Sequence, residues 1–192
     1  MKKINAVFLT ILLGIFFVSS VAIGQDDEPP KSPNAKVSQT IGIDTEVTFD
    51  FSRPGVKGRT IWGELVPWGF GPGNKYSDNK PFPWRGGANK STTIEFSADL
   101  LIEGNKVPAG KYSLHFKPGQ DEWVIMVNSV NDTWGSYKYD PSKDVVKLTV
   151  KAVEAPHQEW LIYGFENLDG YTATAFLHWE KLKVPFKIEV VK

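Results

Sequence analysis

The chain has 192 residues with 22 basic and 22 acidic side chains, so its formal net charge is zero, and it contains no cysteine. The lack of cysteine excludes disulfides, zinc–thiolate sites, cysteine nucleophiles and dithiol redox motifs. No block of basic residues occurs, and we therefore expect no nucleic-acid partner. About 150 residues are enough for one domain that is stable through its apolar core alone.

Residues 1–24 predict a secretory signal peptide. Lys2 and Lys3 precede an almost wholly apolar run over residues 4–18. Small residues occupy positions 22 and 24, which a signal peptidase would recognise just before the cleavage site. A membrane anchor is the alternative, but the run is short of the about 20 residues that a span needs. We expect cleavage before Gln25, which leaves a net charge of −2, and a secreted or periplasmic protein without a membrane span.

Residues 25–33 are acidic and proline-rich, and we expect them to form a flexible tether. Residues 34–192 are predicted to form a single domain. Apolar and polar side chains alternate there with the period of two that strands show. In chain order, strand patterns occur near residues 37–43, 46–52, 92–97, 100–107 (a ribbon turning at Gly104 and Asn105), 111–117, 123–127, 146–150, 159–165, 172–179 and 184–190.

These patterns amount to about nine short strands separated by turn residues. They predict an all-β fold, an antiparallel β-sandwich with jelly-roll or immunoglobulin-like topology. No window after the signal peptide shows a helical period of useful length, and the best candidate is a single turn near residues 59–65.

Residues 52–89 break the strand pattern and are dense in Gly, Pro, Trp and Arg. Flat aromatic rings suit the apolar faces of sugars, while Arg and Asn suit hydroxyls and carboxylates. We therefore predict a binding surface for a glycan or envelope polymer, formed by Arg53, Arg59, Trp62, Trp68, Trp84, Arg85 and Asn89. In the alternative, the tryptophans plug an open end of the sandwich and the arginines cap loop carbonyls.

Two His-x-Glu pairs form a second candidate site, because residues two apart on a strand share a face. If the two strands form a hairpin closed by residues 167–170, His157 lies opposite Glu180 and Glu159 opposite His178. The four side chains would then suit zinc or another divalent ion. The alternatives are a one-residue register shift, because this register leaves several apolar side chains on the polar face, and ordinary cross-strand charge pairing.

The third histidine, His115, is predicted to lie solvated on the polar face of its strand, beside Lys111, Ser113 and Lys117. No GxSxG, HExxH, P-loop or dinucleotide motif occurs in the chain. The sequence therefore leaves open whether the protein is an enzyme.

Several sequence blocks resemble one bacterial family, in the family's order. They are residues 38–42, 51–59, 87–89, 108–114, 134–135 and 179–186. They resemble the family named "domain of unknown function 2911" over about residues 32–189. The resemblance implies a secreted, β-rich protein and carries over no catalytic residue. Two features depart from the family pattern: residues 70–83 are a longer Gly/Pro-rich insertion, and Lys90 stands where an acidic residue is expected.

Three hypotheses follow. The first is a non-catalytic protein that binds a glycan or envelope polymer at the Trp- and Arg-rich surface. The second is a metal-dependent hydrolase that uses the His/Glu pairs, the divalent ion being the only cofactor expected. The third is an interaction module of the cell envelope that docks through residues 70–83. The oligomeric state is left open.

Overall fold

A computed structural model describes residues 28–191. The predicted signal peptide and the first residues of the tether lie outside this part. The described chain forms ten strands and a short 3-10 helix at Pro141–Lys143. The strands are β1 (Asn34–Ile41), β2 (Thr45–Ser52), β3 (Thr93–Phe96), β4 (Leu100–Ile102), β5 (Asn105–Val107), β6 (Gly110–Lys117), β7 (Glu122–Asn128), β8 (Asp144–Lys151), β9 (Val153–Asp169) and β10 (Thr172–Val190).

The strands build two antiparallel sheets. One sheet has six strands in the order β1-β2-β3-β6-β7-β8, and the other has four in the order β5-β4-β10-β9. Most neighbours are consecutive in sequence, and the main exception is the β4–β5 hairpin, which leaves the first sheet between β3 and β6 to join the second. The prediction of an all-β antiparallel sandwich without a long helix is confirmed.

The core forms where the inward faces of the two sheets meet. The alternation in β2 places Val47, Phe49 and Phe51 inside, all nearly or completely buried. The Phe49 ring stacks on Tyr163 of β9 with centroids 4.9 Å apart and meets Phe186 of β10 edge-on at 6.3 Å. Aromatic contacts of this kind join the sheets without any crosslink.

The last two strands are longer than the sequence predicted. Residues 172–179 and 184–190 were expected as two strands, but β10 runs through both. Trp179 and Val184 are both buried although they lie five residues apart, an odd spacing that a regular strand cannot place on one face. The β9–β10 register shifts between His178 and Leu182, where Glu180 has a positive φ of 55°. This bulge interrupts the alternation of the strand, so Trp179 and Val184 can lie on the same face.

Two local predictions need small corrections. The β4–β5 hairpin turns at Glu103 and Gly104, which have φ angles of 47° and 77°, one residue earlier than predicted. The turn expected near residues 59–65 contains no helix and is closed by a hydrogen bond of 2.8 Å from Val66 N to Ile61 O. In residues 28–191, no helix has the length and apolar character needed to cross a membrane.

Candidate functional site

The connection between β2 and β3, residues 53–92, spans one end of the sandwich. Toward the second sheet, Val56 N donates to Glu159 O at 2.8 Å and Leu161 N donates to Pro54 O at 3.1 Å. Toward the first sheet, Trp84 and Phe116 exchange two main-chain hydrogen bonds of 2.7 and 2.8 Å. The connection is thus fastened to both sheets by backbone pairing.

Four tryptophans pack together beneath this connection. The ring of Trp62 lies 5.7 Å from Trp84, 5.1 Å from Trp123 and 5.8 Å from Trp179, measured between centroids. Trp84 also stacks on Trp179 at 6.1 Å. Trp123 belongs to β7 and Trp179 to β10, so the cluster closes the end of the core as a plug. Trp68 stacks on the outside of Trp62 at 6.5 Å and is 37% exposed.

The three arginines are held by main-chain carbonyls. Arg53 Nε donates to Leu161 O at 3.0 Å. Arg59 donates to Gly55 O at 2.5 Å and to Val56 O at 3.1 Å. Arg85 Nη1 donates to Asn89 O at 2.7 Å, and its guanidinium lies over the Tyr137 ring at 5.1 Å. The bonds expected of carbonyl-capping arginines are therefore present for all three.

A groove of about 600 Å³ opens beside the plug. Four residues of the predicted surface line it: Arg59, Trp84, Arg85 and Asn89. Arg53, Trp62 and Trp68 do not line it. Other lining side chains were not predicted, among them Asn74 and Phe82 of the insertion, Tyr137 of the β7–β8 loop, and Trp179 of β10. Tyr137 and Trp179 lie far from residues 52–89 in sequence, so only the fold brings them to the groove, whereas Asn74 and Phe82 belong to this stretch but were not selected.

Asn89 shapes one rim of the groove. Its φ is +59°, in the left-handed region that Asn tolerates better than most residues. Its side-chain amide donates to Ser32 O at 3.2 Å and to Ser52 Oγ at 3.3 Å. Asn89 therefore holds the N-terminal segment against β2 and presents its own carbonyl to Arg85. The unusual Lys90 beside it forms an exposed ion pair with Asp132 at 3.5 Å.

The insertion, residues 70–83, folds as a narrow loop against the β7–β8 loop. Gly71 and Phe82 exchange main-chain hydrogen bonds of 2.9 and 3.2 Å at its base. The Tyr137 ring contacts Phe82 at 4.8 Å and Tyr76 at 5.6 Å. A second cavity, of about 440 Å³, lies between the insertion and residues 137–141, and it shares Phe82 and Tyr137 with the groove.

The two His-x-Glu pairs are not brought together. His178 lies opposite Ile162 rather than Glu159, and Glu180 lies opposite Gln158 rather than His157. The predicted pairing register is wrong, because the hairpin is offset by three residues at its centre and bulged at Glu180. This odd offset buries Leu161 and Tyr163, two of the four apolar side chains that the predicted register left on the polar face, while the other two, Phe165 and Phe176, are half-buried.

Each of these four side chains has a local partner instead. His157 Nε2 contacts Glu159 Oε2 at 3.3 Å, and His178 Nε2 bonds Pro156 O at 2.9 Å. Glu180 accepts a hydrogen bond from Lys181 N at 2.6 Å. Across residues 28–191, no group of three or more His, Asp or Glu side chains has an arrangement that could hold a metal ion.

His115, expected in solvent, is 2% exposed. The β7–β8 loop covers it: Nε2 bonds Ser113 Oγ at 2.9 Å, and Nδ1 bonds Ser136 Oγ of the loop at 2.7 Å. The pKa of His115 is lowered to about 4, mainly because burial disfavours the charged imidazole. The negative charge of Asp144 raises this pKa, and the positive charge of Arg85 lowers it. The imidazole is therefore neutral near neutral pH. The prediction of a solvated histidine is wrong because strand alternation does not reveal a loop packed on the second face.

Asp144 anchors the same polar cluster. Its carboxylate accepts hydrogen bonds from Asn128 at 2.8 Å and from the Tyr139 hydroxyl at 2.5 Å, and it pairs with Lys147 at 3.3 Å. Burial and the bond to Asp144 raise the pKa of Tyr139, which therefore stays protonated and donates. These bonds fix the loop that carries Tyr137 to the groove.

The family model "Protein of unknown function (DUF2911)" matches residues 32–188, so the chain belongs to this family. The match spans the sandwich, the β2–β3 connection and the groove. No curated protein and no solved structure matched the chain.

Proposed function

We propose that the protein is a non-catalytic binding module of the cell envelope and that its groove takes a glycan or envelope polymer. The observation that carries the proposal is the composition of the groove. Aromatic side chains from two segments far apart in sequence, Phe82 and Trp84 of the β2–β3 connection and Tyr137 of the β7–β8 loop, line one cavity together with fixed donors such as Arg85. Sugar-binding sites combine apolar ring faces with a few placed polar groups in this way.

Rigidity supports the proposal. The groove residues lie on a connection that is hydrogen-bonded to both sheets, and Arg59 and Arg85 are already oriented by carbonyls. Little side-chain entropy is then lost when a ligand binds, which favours affinity. Ordered loops on a rigid sheet scaffold commonly carry function.

Two adjoining cavities favour a polymer over a single sugar. The groove and the second cavity share the Phe82–Tyr137 pair, which lines both. A chain of several units would contact this aromatic pair and extend into both cavities. Affinity should then rise with chain length, since each added contact lowers the free energy of binding.

The binding site is tested with a glycan array and with calorimetry on purified protein. We expect oligosaccharides to bind at least about tenfold more tightly than disaccharides of the same sugar. Phe82→Ala and Trp84→Ala should each weaken binding at least about tenfold while the circular-dichroism spectrum stays native. The matched control is Trp134→Ala, because Trp134 is 65% exposed and does not line the groove. Binding that survives both groove substitutions would contradict the proposal.

Export is the second part of the proposal and rests on residues 1–24. Their basic start, apolar run and small residues before Gln25 are typical of a signal peptide. Mass spectrometry of the protein recovered outside the cytoplasm should give a mature chain that begins at Gln25. If the protein keeps Met1 and stays in the cytoplasm, export is refuted, but the binding proposal is unaffected.

A further inference from the structure

All arginines of the chain lie on the connection between β2 and β3. There are three of them, Arg53, Arg59 and Arg85, and the chain has 22 acidic residues that could pair with them. In the part of the chain that the structure describes, every ion pair to a carboxylate is made by a lysine or a histidine, and none by an arginine. The guanidinium charges are therefore not neutralised by a carboxylate of this region.

The carbonyl contacts fix these charges in place but leave donors free. Arg59 uses Nε and one terminal nitrogen, and Arg85 uses Nη1. Arg85 is further held over the Tyr137 ring. The guanidinium of Arg85 also lies directly against Gly135. A Cβ added to Gly135 would come within 2.6 Å of the guanidinium carbon of Arg85. Within residues 28–191, the second terminal nitrogen of Arg59 and that of Arg85 make no hydrogen bond.

The charge of the groove is consequently positive. Arg59 and Arg85 line it, and among the lining residues in the described part of the chain, residues 28–191, Glu64 is the only carboxylate. Glu64 forms no ion pair with either arginine. A fixed guanidinium with free N–H groups binds carboxylates in a planar, often bidentate geometry.

We propose that the ligand of the groove is an acidic glycan, a sugar polymer that carries carboxylates. The carboxylates pair with Arg59 and Arg85, and the sugar rings lie on the aromatic side chains Phe82, Trp84 and Tyr137. This inference rests on the proposed function and adds the chemical class of the ligand. The aromatic lining favours a glycan over a simple anion, and the planar guanidinium fork favours a carboxylate over a neutral hydroxyl.

The test compares one sugar backbone in two charge states. The probes are an oligogalacturonate of about six units and the same oligomer with its carboxylates methyl-esterified, titrated into the full mature protein. We expect the acid to bind at least about tenfold more tightly than the ester in low salt, and the difference to shrink at about 0.5 M salt. Polyglycerol phosphate serves as a third probe that carries anionic charge without carboxylates.

Variants separate the groove charges from the fold. The double variant Arg59→Gln, Arg85→Gln should lose at least about tenfold in affinity for the acid and less than about threefold for the ester. Arg53→Gln is the matched control, because Arg53 lies on the same connection and is carbonyl-bound but does not line the groove. It should leave both affinities unchanged. Arg59→Lys, Arg85→Lys, which keeps the charge, should restore part of the binding of the acid.

The outcomes distinguish this inference from the proposed function. Equal binding of acid and ester would overturn the inference and leave glycan binding standing. The same holds for acid binding that is insensitive to the double variant. Tighter binding of polyglycerol phosphate than of the uronate would overturn the carboxylate class. If a wider glycan array and these probes all fail to bind, both the inference and the proposed function are refuted.

Discussion

His115 is neutral in the folded protein because its burial disfavours the imidazolium form. Its pKa is lowered from 6.5 to about 4. As the pH falls below 6.5, the unfolded chain takes up a proton that the folded chain does not bind, so the free energy of unfolding decreases. The decrease ends near pH 4 and amounts to about 3 kcal/mol at most. Above about pH 7.5, where the histidine is neutral in both states, His115 causes almost no pH dependence.

The measurement is urea unfolding of the wild type and of His115→Gln at several values between pH 7.5 and pH 4. Gln does not titrate, so the variant should lose less stability over this interval, although it starts about 1–2 kcal/mol lower at pH 7.5. The charged and titratable groups around the imidazole, Asp144, Tyr139 and Arg85, are the same in both proteins. Parallel stability curves for the two proteins would contradict a buried neutral histidine.

At the scale of elements, Tyr137 holds the insertion to the body of the protein. Its ring contacts Tyr76, Phe82 and the guanidinium of Arg85. We predict that Tyr137→Ala detaches residues 70–83 while the sheets stay folded. In hydrogen exchange, the amides of Gly71 and Phe82 should then lose at least about tenfold in protection, and the amides between β6 and β7 should keep theirs.

The matched control for this prediction is Asp78→Ala. It removes the ion pair between the insertion and Lys138, which measures 2.8 Å and in which both side chains are more than half exposed. An exposed pair of this kind contributes little to stability, because water and salt screen it. The control should therefore leave exchange at Gly71 and Phe82 nearly unchanged. Protection that survives in Tyr137→Ala, or is lost equally in Asp78→Ala, would show that stacking on Tyr137 does not hold the insertion.

At the scale of the whole molecule, the sequence predicts the sandwich well because alternation is a local signal. The pattern of Val47, Phe49 and Phe51 is enough to define the inner face of β2. The same reasoning assigned one face of β6 but missed the loop on its other face, and so misplaced His115. The β9–β10 register was wrong because β9 extends to a tighter turn than predicted, with Asp169 opposite Thr172. The bulge at Glu180, which lets Trp179 and Val184 share a face, shifts the pairing again and has no clear local pattern.

The sequence could predict only those groove residues that lie close together in the chain. Composition selected Arg59, Trp84, Arg85 and Asn89 because they lie on one connection. Phe82 reaches the groove only through the fold of the insertion, and the β7–β8 loop and β10 supply other lining residues. Their positions depend on strand order and on hydrogen bonds such as that between His115 and Ser136. No periodicity along the chain encodes such long-range placement.

The tryptophan plug ties the β2–β3 connection to both sheets, and this predicts cooperative unfolding. Trp62 and Trp84 come from the connection, Trp123 from the first sheet and Trp179 from the second. If the connection opened first, the cluster would lose its stacking before the strands melted. Because it is fastened to both sheets, we expect the urea transitions by tryptophan fluorescence and far-ultraviolet circular dichroism to coincide within about 0.2 M.

Fluorescence reports on this cluster only if the indoles outside it, above all the most exposed one, Trp134, contribute little to the transition. Trp134 is 65% exposed, so Trp134→Phe should leave the fluorescence midpoint unchanged and serves as the control. Trp62→Leu should lower both midpoints together, since a plug that contacts both sheets stabilises them as one unit. A fluorescence transition at clearly lower urea than the circular-dichroism transition would mean that the connection, with its groove, unfolds separately from the sheets.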